Sequence, residues 1–144
     1  MVSAAACRRA APPRLSVTRT LHARSAQEAW CGSALGLVHV DERLEMPEAG
    51  VRTVVLSDAG GLRVEFVERP GSSPAAPAAP FTVTAVQTFA HLALQVPYLD
   101  AAFGRLTGEC GAAPVSPPAS GVTTGMRYAY IADPEGNLLE LIEV

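Results

Sequence analysis

The sequence has no lysine, and its 144 residues include only three histidines and three cysteines. Because Cys7, Cys31 and Cys110 form no CxxC pair and lack zinc-ligand spacing, neither a redox motif nor a cysteine-based zinc site is predicted. No apolar run approaches the roughly 20 residues that span a bilayer, and no apolar signal core of about 7–15 residues is present. These absences predict a cytoplasmic protein in a reducing compartment.

Acidic residues are missing from the start of the chain. Residues 1–27 contain five arginines and no acid, and the first carboxylate is Glu28. The rest of the chain contains six arginines and fourteen acids, a net charge of −8. A nucleic-acid-binding protein carries a basic stripe on its folded body, so this acidic body argues against that function. We expect residues 1–14 to be a disordered leader, with an organelle transit segment as the alternative.

The rest of the chain is long enough for one domain. The sequence is 49% hydrophobic, which allows a single sizeable core, so residues 15–144 are predicted to form one domain. The stretch from Pro70 to Pro80 cannot hold regular structure, because its prolines lack a backbone donor and bar a helix. We therefore predict a linker over 70–87 between a first module, 15–69, and a second module, 88–144.

An internal repeat is the most informative pattern in the sequence. The segments Val64–Glu68 and Leu139–Glu143 both read apolar-Glu-apolar-apolar-Glu, with an offset of 75 residues. Short amphipathic helices are predicted over Ala26–Leu35 and Leu99–Leu106, each followed by a glycine, a usual helix stop. Strands are expected near Leu15–Ala23, Leu37–Leu44, Val51–Ser57, Leu62–Glu68, Phe89–Val96, Ala113–Pro117, Arg127–Ala132 and Leu138–Val144. The predicted fold class is α+β, with two βαβββ modules that form a curved mixed sheet around a cavity.

Alternation along the predicted strands shows which side chains share a face. His91 shares with Ala93 a face that suits a polar cavity, while the residues between form an apolar core face. Glu140 lies among apolar neighbours, where an unpaired carboxylate costs several kcal/mol and needs a cation, hydrogen bonds or a bound proton. Glu65 shares its face with Arg63, so an ion pair between these two is one alternative to a functional role.

The end of the sequence resembles a known family. His91 at the start of a strand, the segment Tyr130–Asn137 (YIADPEGN) and the Leu-Glu-Leu triplet at 139–141 together resemble the second module of the vicinal oxygen chelate superfamily. Members include glyoxalase I, extradiol dioxygenases and bleomycin-resistance proteins. The DPxGNxxE pattern is typical of the superfamily rather than of one member, and the resemblance covers residues 15–144. It implies a glyoxalase-like fold with a small-molecule site.

In metal-using members, each module gives one ligand from its first strand and one from its last. Carried over, the resemblance implies metal ligation by Glu65, His91 and Glu140, with a divalent ion such as Zn, Ni, Mn, Co or Fe. The fourth position, found by subtracting the repeat offset from His91, falls at residues 16–18, a Ser-Val-Thr segment. His22 has the right strand parity but lies about 13 Å or more along a strand from that position. The missing ligand argues against a complete metal site.

The resemblance favours an enzyme, a divalent-metal-dependent isomerase or lyase that polarises a carbonyl or an enediolate of an oxygenated substrate. His91 and Glu140 are the expected catalytic residues, and Arg127 and Tyr130 are expected to contact the substrate. The expected partners are this small molecule and a second copy of the chain in a homodimer, with no nucleic acid and no membrane.

The main alternative is a metal-free protein that binds a drug and gives antibiotic resistance by sequestration, which the missing fourth ligand favours. Ring-cleaving dioxygenase chemistry ranks last, because it needs two histidines and one carboxylate and only one well-placed histidine is present. Acid–base catalysis by His91 and Glu140 without a metal also stays open.

Overall fold

The computed structural model describes residues 16–21, 24–73, 79–80, 82, 85 and 89–144. The elements of the first half, in chain order, are β1 (Ser16–Leu21), α1 (Arg24–Leu35), β2 (His39–Met46), β3 (Val51–Ser57) and β4 (Arg63–Glu68). Those of the second half are β5 (Leu92–Val96), α2 (Leu99–Gly108), β6 (Ala113–Ser120), β7 (Arg127–Ala132) and β8 (Leu138–Glu143). A 3-10 turn, Pro47–Ala49, joins β2 to β3.

Each half folds into its own four-stranded sheet. The strand orders are β1-β4-β3-β2 and β5-β8-β7-β6, so the two sheets have the same topology. In each sheet the first strand runs parallel to the last, and the other neighbouring strands are antiparallel. The predicted α+β class with two βαβββ halves is confirmed. The two sheets remain separate and open, with β1 and β5 each forming an edge of its own sheet.

Alternation along the strands sends one face of each sheet into the core. Val64 and Phe66 of β4 are buried there, as are Leu139 and Leu141 of β8. Helix α1 adds Trp30 to the same cluster, and burial of each such side chain stabilises the fold by about 1.5–3 kcal/mol. The face of each sheet that points away from this cluster is called the open face, the first on sheet β1–β4 and the second on sheet β5–β8.

The two halves share one core. A single buried apolar cluster contains side chains from both helices and both sheets, so the halves pack through their helix-covered faces. Hydrogen bonds between described residues link the halves as well, among them Gln27 Nε2 donating to Asp133 Oδ2 at 2.8 Å and Arg105 Nη2 donating to the carbonyl of Ala34 at 2.8 Å. That carbonyl is one of those left without an intrahelical partner at the end of α1. The two open faces therefore point away from the core that the halves share.

The last hairpin of each half closes with the same turn chemistry. Asp58 and Asp133 each accept a hydrogen bond through Oδ1 from the backbone N–H four residues on, both at 2.8 Å. Gly61 and Gly136 have φ angles of 94° and 80°, which glycine adopts without a Cβ clash. The turn predicted at Asp133–Asn137 thus fixes the register of the β7–β8 hairpin.

Two strand boundaries differ from the predictions by three residues, and β2 begins and ends two residues later than predicted. Strand β6 continues through Pro117 and Pro118 to Ser120, because it is an edge strand, where prolines without an N–H donor are tolerated. Strand β5 begins at Leu92 rather than at Phe89, and Phe89 is fully exposed.

Some predictions lie outside the described residues. These are the disordered leader over 1–14, parts of the linker over 70–87, and His22 as a replacement ligand. The limits of a single domain at 15–144 stay a prediction. In the part of the chain that the structure describes, no helix is both long and apolar enough to cross a membrane.

Candidate functional site

Glu140 lies at the centre of the second open face. Its Oε2 is 3.0 Å from Nε2 of His91, and its Oε1 accepts a hydrogen bond from the Tyr130 hydroxyl at 3.0 Å. Tyr130 stands directly opposite Glu140 on β7, and His91 is the residue before β5. Both carboxylate oxygens therefore have a polar partner. This compensates a side chain that is only 13% exposed and would cost several kcal/mol to bury alone.

The geometry selects one tautomer of His91. An ionised carboxylate can only accept hydrogen bonds, so the contact with Glu140 places the imidazole hydrogen on Nε2. Nδ1 of His91 is buried and has no hydrogen-bond partner among the described residues. A hydrogen on Nδ1 would therefore lack an acceptor, whereas a hydrogen on Nε2 has Glu140.

Three rings follow one another across the second open face. The ring centroids of His91 and Tyr130 are 5.6 Å apart at an interplanar angle of 86°, and those of Tyr130 and Tyr128 are 5.7 Å apart at 70°. Edge-to-face contacts of this kind contribute about 0.5–1.5 kcal/mol each beyond the area they bury. We call these three side chains the aromatic column.

Tyr130 keeps its hydrogen far above neutral pH. Burial, followed by its hydrogen bond to Glu140, raises the pKa of Tyr130 to about 12. A phenol that remains protonated is a permanent donor to the carboxylate, so the contact between Tyr130 and Glu140 does not depend on pH in the neutral range.

Glu65 occupies the equivalent position on the first open face. On β3 it lies opposite Val55, the counterpart of Tyr130 in the second sheet. On β1 the strand register makes Ser16 the counterpart of His91. The acid is thus repeated in both halves, but the histidine and the tyrosine occur only in the second.

Arg63, which the sequence offered as an ion-pair partner of Glu65, forms its ion pair with Asp41. Arg63 Nε lies 2.9 Å from Asp41 Oδ2, and Ser57 donates to Asp41 Oδ1 at 2.8 Å. Asp41 stands at a bulge of β2, where the register with β3 shifts. A bulge redirects a side chain relative to strict alternation, so this pair could not be read from the strand period.

The predicted metal ligands do not meet within one chain. Among the described residues, no group of three or more His, Cys, Asp or Glu side chains could hold a metal ion. The structure therefore does not gather Glu65 with His91 and Glu140 into one ligand set. A metal-bound histidine usually donates its other ring N–H to an acceptor, and Nδ1 of His91 has none in the described part of the chain. The described residues of a single chain therefore do not present a fitting ligand set for a divalent ion.

Arg127, expected to contact the substrate, belongs to a pattern found in both halves. Its Nη1 lies 2.8 Å from Asp100 Oδ2 and 3.1 Å from Glu143 Oε2. The first half has the same pair 75 residues earlier, Arg52 with Glu68 at 2.8 Å. Arg127 also alternates with the tyrosines of β7, on the face turned towards α2. A substrate contact of Arg127 stays a prediction, and its geometry favours a structural role.

An open cleft of about 610 Å³ lies between the two halves. Its lining combines the end of α1, part of α2 and four consecutive residues of β5, Ala93 to Val96, so it follows the free edge of that strand. The lining does not include His91, Tyr130 or Glu140. The cleft lining includes the polar side chains Asp58, Gln95 and Arg105. We place the candidate site at the hydrogen-bonded group instead, because His91 and Tyr130 converge there on one partly buried carboxylate, Glu140.

Sequence reasoning named His91, Glu140 and Tyr130 but did not pair Tyr130 with Glu140. The signal was present: once Asp133–Asn137 forms the turn, Ala132 faces Leu138, and two further steps bring Tyr130 opposite Glu140. Sequence reasoning did not single out Tyr128, because no local pattern marks its ring contact with Tyr130. The link between Gln27 and Asp133 spans 106 residues and has no sequence signal.

Two duplicated βαβββ halves with an acid at the centre of each open face define a fold of the glyoxalase type. A family model described as the Glyoxalase/Bleomycin resistance protein/Dioxygenase superfamily matches residues 29–141. The chain belongs to this superfamily. A search of curated proteins found no match.

Solved structures agree in fold. A glyoxalase family protein from Enterococcus faecalis is 23% identical, with a TM-score of 0.70 over 90% of this chain and 94% of its own. TioX from Micromonospora sp. ML1 is also 23% identical, with a TM-score of 0.62 over 91% and 98%. Glyoxalase I from Zea mays is 16% identical, with a TM-score of 0.69 over 91% of this chain and 44% of its own. At these identities the similarity concerns the fold alone.

Proposed function

We propose that the chain binds a small molecule on its second open face without a metal ion, with His91, Tyr130 and Glu140 as the polar contacts. The observation that carries this proposal is that both oxygens of Glu140 already have hydrogen-bond partners. A carboxylate with two such partners does not need a cation to compensate its burial. The superfamily binds small molecules, and sequestration of a drug is the version of this function that needs no further catalytic group.

A titration with metal alone tests the proposal. We expect Zn²⁺ and Ni²⁺, added to chelator-treated protein, to give no stoichiometric binding heat and no change in melting temperature. A specific ion at a hundredfold its Kd would stabilise the fold by about 2.7 kcal/mol, a melting shift of roughly 5–10 °C. Glu65→Gln is the matched control variant, because it changes an acid of the first open face and leaves His91, Tyr130 and Glu140 in place. Stoichiometric metal binding that His91→Ala abolishes would overturn the proposal.

A metal-dependent isomerase or lyase is the second candidate, favoured by the repeat of the acid as Glu65. Because the open faces of one chain point away from the shared core, this candidate needs a second copy to bring Glu65 to His91 and Glu140. The cleft along the free edge of β5 is where an edge strand of that copy would dock. If β1 of the second copy lay there, the open faces of two copies would form one continuous surface.

The two candidates predict different roles for Glu65. In the homodimeric enzyme, Glu65→Gln replaces a charged ligand oxygen with a neutral amide oxygen and weakens metal binding. In the metal-free binder, Glu65→Gln leaves ligand affinity unchanged. The molar mass measured by light scattering, with and without metal, separates a dimer held by its own surface from one that the ion assembles.

A further inference from the structure

From the aromatic column and its charge we infer that the second open face selects an organic cation with a planar ring, and that Tyr128 is the residue that recognises it. This inference rests on the proposed small-molecule function and narrows it to a ligand class. It comes from three features of the site: the sign of its charge, the orientation of its rings and the small side chains that flank them.

The charge of this face is negative. Glu140 contributes a carboxylate, and no arginine side chain lies on this face among the described residues, because the side chain of Arg127 is on the opposite face, paired with Asp100 and Glu143. His91 contributes an imidazole whose Nε2 hydrogen is committed to Glu140. An anionic ligand would meet this carboxylate without a counter-charge, whereas a cation would be attracted by it.

The rings add to this attraction. The π face of a tyrosine is the negative part of its quadrupole, and a cation within about 6 Å of the ring centre is stabilised by roughly 0.5–2 kcal/mol. Tyr130 is largely covered, at 8% exposure, and is held by Glu140 and by both neighbouring rings. Tyr128 is the outer ring of the column and is partly exposed. It is therefore the ring that a ligand can reach.

Small side chains leave room beside the column. On β6, Ser116 lies opposite Tyr130 and Ala119 lies opposite Tyr128. On β5, Ala93 lies opposite Glu140. A flat group can approach Tyr128 from the β6 side over Ala119, whereas Ile142 stands opposite Tyr128 on β8. The room is therefore on one side of the ring only, which is why we assign a planar ring rather than a bulky saturated one.

Three probes of nearly the same shape test the ligand class: 1-methylquinolinium as the cation, quinoline as the neutral ring and quinoline-2-carboxylate as the anion. By calorimetry near neutral pH, we expect the cation to bind about tenfold more tightly than quinoline, and the anion to bind less tightly than either. Equal affinity of the cation and quinoline, or absence of binding by both, would overturn the inference.

Variants of Tyr128 assign the residue. Tyr128→Phe keeps the ring and should retain the preference for the cation, whereas Tyr128→Leu should reduce that preference to about twofold or less. Tyr98→Leu is the matched control, because Tyr98 is 73% exposed and lies outside the column. If Tyr128→Leu does not fold, Ile142→Lys places a cation directly opposite Tyr128 and should abolish binding of 1-methylquinolinium while sparing quinoline.

The inference and the proposed function can fail separately. If a neutral or anionic compound binds in a way that needs His91, while 1-methylquinolinium does not bind, the small-molecule function stands and the ligand class is wrong. If 1-methylquinolinium binds with the expected dependence on Tyr128 and stoichiometric metal also binds, the ligand class stands and the metal-free function is wrong.

Discussion

The two halves of the molecule have the same scaffold and different chemistry. Both have the strand order first-last-third-second, an aspartate that closes the last hairpin and an acid at the centre of the open face. The second half surrounds its acid with His91 and Tyr130, and at the corresponding positions the first half has Ser16 and Val55. The substitutions at these two positions therefore give the second acid a histidine and a tyrosine as partners, which the first acid lacks.

This difference teaches how function divides over a repeat. The features common to both halves are those that a βαβββ unit needs to fold, namely the apolar core face, the turn and the Arg–Glu pair at its edge. The repeated acid gains a histidine and a tyrosine as partners in the second half only, and we propose that these partners give Glu140 a chemical role. The repeated ion pair favours a structural role for Arg127, and His91 and Tyr130 remain proposed site residues.

The largest expected effect tests the two turn aspartates. Asp133→Ala removes the acceptor of the Asn137 N–H, the Asn137 amide and Gln27, and should lower the free energy of unfolding by about 3 kcal/mol. Asp58→Ala removes the acceptor of one backbone N–H and should cost about 1 kcal/mol. Urea unfolding measures both. Equal losses would show that neither the Asn137 amide nor Gln27 contributes to stability through Asp133.

A smaller effect concerns Tyr130 and pH. Its folded-state pKa of about 12 exceeds the ordinary value of 10.0, so the folded protein binds this proton more tightly than the unfolded chain does. The resulting stability is complete below about pH 10 and is lost as the pH rises through about 12. Absorbance at 295 nm should show one of the three tyrosines ionising near pH 12.

Tyr130→Phe is the control for that titration. It removes the late ionisation and the hydrogen bond to Glu140, and should lower the free energy of unfolding at neutral pH by about 1–1.5 kcal/mol. If the late ionisation persists in this variant, Tyr130 is not the tyrosine that ionises near pH 12, and the assignment is wrong.

The smallest effect is expected at the repeated Arg–Glu pairs. Arg127→Gln and its counterpart Arg52→Gln should each lower the melting temperature slightly and by similar amounts, because exposed ion pairs contribute little. Neither should change the affinity for 1-methylquinolinium by more than about twofold. A large loss of affinity in Arg127→Gln alone would restore the substrate-binding role predicted from sequence.

Much of the fold could be predicted because its signals are local. A period of two along a strand, a glycine after a helix and the Asp-Pro-Glu-Gly-Asn turn depend on near neighbours, and the repeat doubled the evidence for each. The alternation that put His91 and Ala93 on one face and the intervening residues in the core is matched by the register of β5 with β8. The end of β6 was predicted too early because of its prolines, since the position of a strand at the sheet edge decides whether proline is tolerated.

The site could be predicted only in part, because its contacts cross between elements. His91 and Glu140 are 49 residues apart, and their 3.0 Å contact depends on β5 lying beside β8. The ion pair of Asp41 with Arg63 depends on a bulge, and the set of Glu65, His91 and Glu140 depends on the mutual placement of two sheets. Strand alternation does not predict how the two sheets are placed relative to each other.

The sequence by itself determined a duplicated α+β unit, the polar face of each sheet and the identity of the residues on it, because side-chain alternation follows directly from backbone geometry. Only the tertiary structure decided that the halves pack through their helix-covered faces, so that the two central acids lie on separate open faces. That choice depends on which apolar surfaces bury each other, a property of distant residues acting together. It is the reason that His91, Tyr130 and Glu140 meet while Glu65 stays apart from them within one chain.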